Sequence, residues 1–281
     1  MSYSFEGTSR TAKAGALEIH YNEAGDPASE VVVALHGGGP GASSWSNFKQ
    51  NLPALASRFR CLLVDMPGFG RSDKPEFDRQ FFEFAAKAVV DLLDELGIER
   101  THLIGNSLGG GVSLRTALDY PERVGKLVLM GPGGACKPIF SPEPSEGIKM
   151  LYSIRDEPTR EKIEAFIRVM VYDERFITPE LVEERLEAAM NPENQRGMDR
   201  AMSTFAPPGA GELWRELDRI PHETLMIWGR DDRTLPLDGA LLALQQLPNA
   251  QLHVFSRCAH WAQLEHQAAF DRLALDFLGH D

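Results

Sequence analysis

This chain of 281 residues, 43% of them hydrophobic, is long enough to bury a large core, and one enzyme-sized domain with an insertion is favoured over two independent domains. The formal net charge of -12 and the lack of a cluster of Lys and Arg argue against binding to nucleic acid or to an anionic membrane. No apolar stretch is long enough to span a membrane, and three widely spaced cysteines indicate reduced thiols rather than disulfides or a zinc site, so we expect a cytoplasmic protein without a metal.

Short apolar runs alternate with helical patterns along the chain. Residues 17–21 alternate apolar and polar side chains, which predicts an antiparallel strand at the edge of a sheet. Helical patterns cover residues 81–96 and 109–120. The apolar runs predict fully buried strands at 31–35, 61–64, 102–104, 126–130, 225–228 and 252–255. This alternation predicts an α/β fold with a mostly parallel sheet and helices on both of its faces.

One long interval without a strand separates the predicted strands at 126–130 and 225–228. Within it, apolar residues recur at helical spacing over residues 158–172, and Thr178 followed by Pro179 is typical of a helix N-cap and first turn. The interval therefore predicts a helical cap (lid). The expected division is a first core part at 1–132, the cap at 133–208 and a second core part at 209–281.

A Gly-x-Ser-x-Gly motif surrounds Ser107, after a predicted strand and before a helical stretch. This context is typical of a nucleophile elbow, in which the serine lies on a strained strand-to-helix turn. Glycines at positions 105 and 109 avoid collisions with the neighbouring strand and helix. A plain structural turn is the alternative, and the flanking strand and helix disfavour it. Ser107 is therefore predicted to be a nucleophile.

A serine nucleophile needs a base, and the base needs an orienting carboxylate. His260 lies in a loop beyond the predicted strand at 252–255, which is where the base belongs in the chain order Ser, acid, His. A loop cap is the alternative role for this histidine. Asp231 and Asp232 both follow the strand at 225–228, and either could be the acid. We favour Asp232, because Asp231 directly follows the turn and is better placed to cap it.

Donors to a developing oxyanion are the remaining requirement of this chemistry. The loop after the strand at 31–35 has glycine at four of the five positions from 37 to 41, so its amides can closely approach a substrate. A flexible turn is the alternative explanation of these glycines. The amide of Leu108, directly after the nucleophile, is expected to be the second donor.

Arg185 lies within the apolar arc of a predicted helix over residues 178–190. A cation in such a position is costly unless it meets an anion. It could extend outward to pair with a nearby glutamate. It could instead reach into a pocket between cap and core and bind a substrate carboxylate in bidentate fashion, which is the role we favour.

Taken together, these motifs resemble those of the meta-cleavage product hydrolases, α/β-hydrolases that cleave carbon–carbon bonds in ring-fission products of aromatic or steroid catabolism. Asn106 before the nucleophile and Trp261 after the histidine make the resemblance specific, because generic esterase chemistry does not demand them. The resemblance covers nearly the whole chain. It rests on the segments 36–41, 45–47, 105–110, 129–134, 228–233 and 258–261.

The resemblance implies a substrate, a 2-hydroxy-6-oxo-hexa-2,4-dienoate with a substituent at carbon 6, and a Ser107, Asp232, His260 triad. The dienol is first ketonised, Ser107 then attacks the carbon-6 carbonyl, and water releases a carboxylic acid beside 2-hydroxypenta-2,4-dienoate. No cofactor or metal is needed, and a homo-oligomer is expected. The implied oxyanion hole is Gly38, Gly39 and Leu108, and the implied dienoate-binding residues are Asn47, Asn106, Arg185 and Trp261.

Other functions remain open from the sequence. A carboxylesterase would use the same triad but has no need of Arg185, Asn47 and Asn106. A non-enzymatic ligand-binding relative would be expected to lose a triad residue or an oxyanion donor, and none is missing. Dehalogenase or epoxide hydrolase chemistry would require a carboxylate in place of Ser107. The sequence does not reveal the substituent at carbon 6.

Overall fold

A single sheet organises the part of the chain that the computed structural model describes, residues 3–155 and 157–280. Residues 1, 2, 156 and 281 of the expected division lie outside the described residues. Every strand predicted from the sequence is present, extended by one to three residues at some ends. The strands are β1 Ser9–Ala14, β2 Leu17–Ala24, β3 Val31–Leu35, β4 Arg60–Val64, β5 Thr101–Asn106, β6 Val124–Met130, β7 Thr224–Gly229 and β8 Ala250–Phe255.

The eight strands lie in the order β1-β2-β4-β3-β5-β6-β7-β8. From β4 to β8 all neighbours are parallel, whereas β2 pairs in antiparallel fashion with β1 and β4. Successive side chains of a strand point to opposite faces, so Val33 and Leu35 pack into one hydrophobic cluster while Val32 and Ala34 pack into the other. The predicted α/β class with a mostly parallel sheet is confirmed.

Two details of the strand predictions were wrong. The strand at 17–21 is not the edge, because β1 lies outside it and pairs with it from Ser9 to Ala14. The strand at 252–255 is not fully buried, because β8 forms the other edge of the sheet and Val254 is 38% exposed. An edge strand has one free side, so an apolar run alone does not show that both of its faces are covered.

Helices cover both faces of the sheet. Phe81 and Val112 pack into the cluster on one face, and Phe48 and Phe270 pack into the cluster on the other. The helices are α1 Phe5–Thr8, α2 Ser44–Phe48, α3 Leu52–Leu55, α4 Phe81–Glu95, α5 Leu108–Asp119, α6 Glu146–Arg155, α7 Arg160–Met170, α8 Pro179–Met190, α9 Pro192–Ser203, α10 Asp238–Gln246, α11 Ala262–Glu265 and α12 Gln267–Leu278. Within the described ranges, none of them combines the length and apolarity needed to cross a bilayer.

Helices α6 to α9 lie between β6 and β7, where the sequence predicts the cap. Side chains of α6, α7 and α8 share a separate hydrophobic cluster that includes Trp261. In contrast, Ala201 of α9 packs into the sheet cluster that contains Phe81. Thr204 Oγ1, just after α9, accepts a hydrogen bond of 3.0 Å from Phe81 N. The helices α6 to α8 thus form a layer over the sheet that is anchored through α9. The division at 133 and 208 stays a prediction.

Candidate active site

The predicted site residues follow the carboxyl ends of neighbouring parallel strands. The glycine-rich loop follows β3, Ser107 follows β5, Asp232 follows β7 and His260 follows β8. In an open parallel sheet, the carboxyl ends of the strands form the crevice where ligands bind. A cavity of about 260 Å³ lies there, between the sheet and helices α6 to α9. Ser107, His260 and Arg185 all line it.

Ser107 occupies a strained turn between β5 and α5. Its φ of 51° lies in the left-handed region, which costs about 1–3 kcal/mol for a residue with a side chain. The turn is fixed by a hydrogen bond of 2.9 Å from Ser107 N to Met130 O. A Cβ at Gly105 would lie 2.6 Å from Gly109 O, and one at Gly109 would lie 2.2 Å from Leu35 O. Only glycine therefore fits on either side of this serine.

Asp232, and not Asp231, contacts the histidine. Asp232 Oδ2 lies 2.7 Å from His260 Nδ1, and both side chains are buried. Because a carboxylate only accepts hydrogen bonds, Nδ1 carries the proton and Nε2 keeps its lone pair. The other oxygen, Oδ1, accepts hydrogen bonds from Thr234 N at 2.7 Å and Leu235 N at 2.9 Å. Asp231 instead pairs with the exposed Arg230 at 3.2 Å.

His260 Nε2 is buried and has no hydrogen-bond partner among residues 3–155 and 157–280. Ser107 Oγ is likewise not bonded to it there. Both groups face the same cavity, so the free lone pair of Nε2 is available to a serine hydroxyl or a water molecule. Acyl transfer needs a base that is oriented by a buried carboxylate and a serine nucleophile at the same cavity. His260 and Ser107, which lies on a strained turn, meet these requirements.

The three residues expected to form the oxyanion hole all line the cavity. A Cβ at Gly38 would lie 2.9 Å from Leu108 Cδ2 and 3.3 Å from Leu108 Cβ, so the two residues are in contact. The amides of Gly38, Gly39 and Leu108 donate no hydrogen bond to another described residue. Gly39 lies further along the loop, against the ring of Phe166. Free amides of this kind can stabilise a negative oxygen in the cavity.

Two side chains hold the glycine-rich loop in place. His36 Nε2 accepts a hydrogen bond of 3.1 Å from Met66 N, so its Nδ1 carries the proton and donates to Gly37 O at 2.7 Å. Burial lowers the pKa of His36, which keeps this ring neutral. Asn47 Oδ1 accepts a hydrogen bond of 3.3 Å from Gly37 N, while the residue also lines the cavity. This role of His36 could not be predicted from the sequence, because the donor to its Nε2, Met66 N, lies in the loop that follows β4.

Arg185 is only 3% exposed and lines the cavity from α8. Its guanidinium carbon lies 5.2 Å from the ring centre of Trp261, and Nη1 donates a long hydrogen bond of 3.4 Å to Pro40 O. Burial lowers the pKa of the guanidinium to about 10, so it stays charged at neutral pH. No carboxylate of the described residues pairs with it, since Glu184 pairs with Lys49 and Glu183 with Arg160.

Three buried polar atoms around this cavity have no partner among the described residues. They are His260 Nε2, Arg185 Nε and Asn106 Oδ1. Buried polar atoms are nearly always hydrogen-bonded, so a group of unpaired ones around a single cavity indicates a polar ligand. An unpaired donor on Arg185 requires an anion or another acceptor there.

Most of the rest of the cavity wall is apolar, although Tyr152 and Thr234 also line it. It includes Ile148 and Leu151 from α6, Phe166 and Met170 from α7, and Met198 and Met202 from α9. The sequence predicted apolar faces on the cap helices but could not separate wall residues from core residues. Both kinds of residue have the same hydrophobic spacing, and only the packing of the helices decides which of them face the cavity.

Comparisons with known proteins give the same fold and chemistry. Residues 30–267 match the alpha/beta hydrolase fold family. The chain is 46% identical over 264 residues to a 2-hydroxy-6-oxo-6-phenylhexa-2,4-dienoate hydrolase of Burkholderia cepacia, covering 93% of this chain and 91% of that relative. It is 45% identical, with the same coverage, to a 2-hydroxy-6-oxononadienedioate/2-hydroxy-6-oxononatrienedioate hydrolase of Comamonas testosteroni.

A solved structure is also similar over nearly the whole chain. It is a meta-cleavage product hydrolase from Pseudomonas fluorescens IP01, with a TM-score of 0.85 and 32% sequence identity. The similarity covers 96% of this chain and 97% of that one. The resemblance noted in the sequence is thereby confirmed: the chain belongs to the α/β-hydrolase fold family and, within it, to the meta-cleavage product hydrolases.

Proposed function

We propose that this enzyme hydrolyses a carbon–carbon bond in a 2-hydroxy-6-oxo-hexa-2,4-dienoate that carries an apolar substituent at carbon 6. The products are a carboxylic acid and 2-hydroxypenta-2,4-dienoate. The observation that carries the proposal is the set of unpaired buried atoms at the cavity, among them His260 Nε2 and Arg185 Nε. The cavity is largely apolar and holds a serine, a base and a cation. The serine and the base suit a substrate carbonyl, and the cation suits a substrate carboxylate.

The proposed chemistry begins when the bound dienol is ketonised. Ser107 Oγ then attacks the carbon-6 carbonyl, and its proton passes to His260 Nε2. The amides of Gly38, Gly39 and Leu108 stabilise the oxyanion. When the carbonyl reforms, the bond between carbons 5 and 6 breaks, its electron pair passes through the conjugated chain to the oxygen on carbon 2, and that oxygen takes the proton held by His260. Water, activated by His260, then attacks the acyl-enzyme and releases the carboxylic acid.

The cavity also suggests how the substrate lies. We place the dienoate carboxylate at Arg185, with Asn106, Asn47 and Trp261 along the same end. The carbon-6 substituent then lies against the apolar wall. Among the described residues that line the cavity, Arg185 is the sole Lys or Arg. A substituent with its own carboxylate, as in the named substrate of the Comamonas testosteroni relative, would have no cation to pair with at the far end.

Substrates that differ only at carbon 6 test this proposal. We expect the phenyl-substituted dienoate to have a kcat/KM at least about a hundred-fold above that of the carboxyethyl-substituted one, because an unpaired buried charge costs roughly 3 kcal/mol or more. A methyl-substituted dienoate is the small uncharged control. Loss of the visible absorbance of each dienoate gives the rate, and chromatography identifies the acid released.

Two results would contradict the proposal. Equal or better turnover of the carboxyethyl substrate would show that the far end accepts an anion. Failure to cleave any of the three, together with fast hydrolysis of neutral aryl esters, would make the enzyme a carboxylesterase. The homo-oligomer and the cytoplasmic location expected from the sequence stay predictions.

Arg185 distinguishes a dienoate hydrolase from an ordinary esterase. A charge-assisted hydrogen bond contributes roughly 1.5–3 kcal/mol, so Arg185→Ala should lower kcat/KM for the dienoate by about ten- to a hundred-fold or more. A neutral aryl ester has no carboxylate for this residue to hold, and its hydrolysis should be nearly unchanged. Steady-state rates with both substrates measure the difference.

The matched control is Arg160→Ala, which removes a half-exposed arginine that pairs with Glu183 outside the cavity. It should leave both activities unchanged. Circular dichroism and thermal melting check that α8 stays folded in each variant. If Arg185→Ala lowers both activities equally, or lowers neither, Arg185 is a structural cation and the orientation of the substrate proposed above is wrong.

A further inference from the structure

A buried carboxylate outside the proposed triad joins the cap to the loop that carries the catalytic histidine. Glu265, at the end of α11, is 8% exposed. Its Oε1 accepts a hydrogen bond of 2.7 Å from Ala259 N, directly before His260. Its Oε2 accepts hydrogen bonds from Tyr172 N at 2.6 Å and Asp173 N at 3.1 Å, just beyond the end of α7.

Backbone hydrogen bonds also link the end of α7 to the loop around His260. Met170 O, at the end of α7, accepts hydrogen bonds from His260 N at 2.9 Å and Trp261 N at 3.2 Å. The segment after α7 and the loop around His260 are therefore tied together by five hydrogen bonds from backbone amides, three to Glu265 and two to Met170. Met170 itself lines the cavity.

No cation pairs with Glu265 among the described residues, so its charge is stabilised by the three amides. Burial raises the pKa of this carboxyl, and the amide hydrogen bonds oppose that rise. An uncharged residue at this site would avoid the energetic cost of burying a carboxylate. The stability of the whole protein alone therefore does not explain why a carboxylate is present. Its distinctive property is that both oxygens accept, one toward each segment.

We propose that Glu265 is a positioning residue: it fixes the backbone at Ala259 against the end of cap helix α7 and thereby holds His260 Nε2 at the correct place for Ser107. This inference rests on the proposed function for its substrate but concerns the placement of the base. It also couples the position of α7 to the position of the base. If α7 moved, the amides after α7 and the amides around His260 would move together, because Glu265 and Met170 O link them.

Glu265→Gln is the informative variant. A glutamine has nearly the same shape, but its NH₂ group faces amide donors on one side, so one of the two segments loses its acceptor. We expect kcat to fall by about ten- to a hundred-fold while KM changes less than about three-fold, because a small displacement of a catalytic group has effects of this size. The downfield proton resonance of His260 Nδ1–H should shift as well.

The matched control is Asp271→Asn, which neutralises another buried acid on the next helix. Asp271 Oδ1 accepts a hydrogen bond of 2.7 Å from Asn51 Nδ2, and within residues 3–155 and 157–280 its side chain forms no hydrogen bond with α7 or with the loop around His260. This control should keep kcat and the resonance unchanged. Binding is measured separately by titrating the dienoate into Ser107→Ala and into the Ser107→Ala, Glu265→Gln double variant, and the two should bind equally well.

Hydrolysis of a neutral aryl ester should show the same fall in kcat, because His260 serves both reactions. If the wild-type enzyme hydrolyses the ester but no dienoate, the proposed function fails while the ester rates still decide the role of Glu265. An unchanged kcat in folded Glu265→Gln, or weaker dienoate binding that accounts for the whole loss, would overturn the inference. Should this variant not fold, Glu265→Asp, which is one methylene shorter, is judged by the same criteria.

Discussion

Ser107→Ala is expected to abolish release of the carboxylic acid while the variant still binds the dienoate. The substitution removes the nucleophilic oxygen but leaves Arg185 and the apolar wall in place. Loss of the nucleophile in a serine hydrolase lowers kcat by about 10⁴-fold or more. His260→Ala should be similarly damaging, because it removes the base for both acylation and deacylation. Absorbance titration measures binding, and chromatography measures the acid.

Ser113→Ala provides the matched control for this experiment. Ser113 lies on α5, and its hydroxyl donates a hydrogen bond of 2.8 Å to Gly109 O within the helix. The control should retain kcat within a few-fold. Near-normal turnover by Ser107→Ala would eliminate the assignment of this residue as the nucleophile.

Asp232→Asn is expected to lower kcat by about 10⁴-fold without unfolding the protein. The geometry explains why. Oδ1 of residue 232 accepts hydrogen bonds from Thr234 N and Leu235 N, so an asparagine keeps them only if its oxygen stays there. Its Nδ2 then donates toward His260 Nδ1, which moves the imidazole proton to Nε2. A protonated Nε2 cannot accept the proton of Ser107.

Asp231→Asn serves as the neighbouring comparison, because Asp231 pairs with Arg230 at the surface. It should change kcat by less than a few-fold. Steady-state kinetics of both variants, with circular dichroism to check folding, decide between the two aspartates. If Asp231→Asn is the more damaging variant, the acid of the triad is Asp231.

Most of the strands that the sequence predicted contain a run of apolar residues, and β2 was predicted from its alternating pattern. Strand β1 was not predicted, because its Ser-Arg-Thr-Ala-Lys-Ala sequence has almost no hydrophobic pattern. It is held largely by backbone pairing with β2. The order of the strands and the edge position of β8 depend on long-range pairing, which no local pattern encodes.

Site residues were predictable where a local motif carries the chemistry. The glycines around Ser107 and the unusual place of Arg185 on an amphipathic helix are signals of this kind. Glu265 and His36 are different, because each has a partner on a distant part of the chain, the segment after α7 for Glu265 and the segment after β4 for His36. A glutamate at the end of a short helix resembles any solvated acid until folding places three backbone amides around it. Such residues can be found only from the packed structure.

The apolar side chains of the cavity wall differ in stiffness. Phe166 and Trp261 are rigid rings in edge-to-face contact near the arginine, at 6.1 Å between their centres. Met198 and Met202 supply unbranched thioether side chains with several freely rotating bonds. The proposed substrate would therefore meet a rigid ring beside Arg185, and adaptable side chains where it touches the methionines. Rotation of the methionine side chains alone would let the cavity accept substituents of different shape, with no change to the backbone.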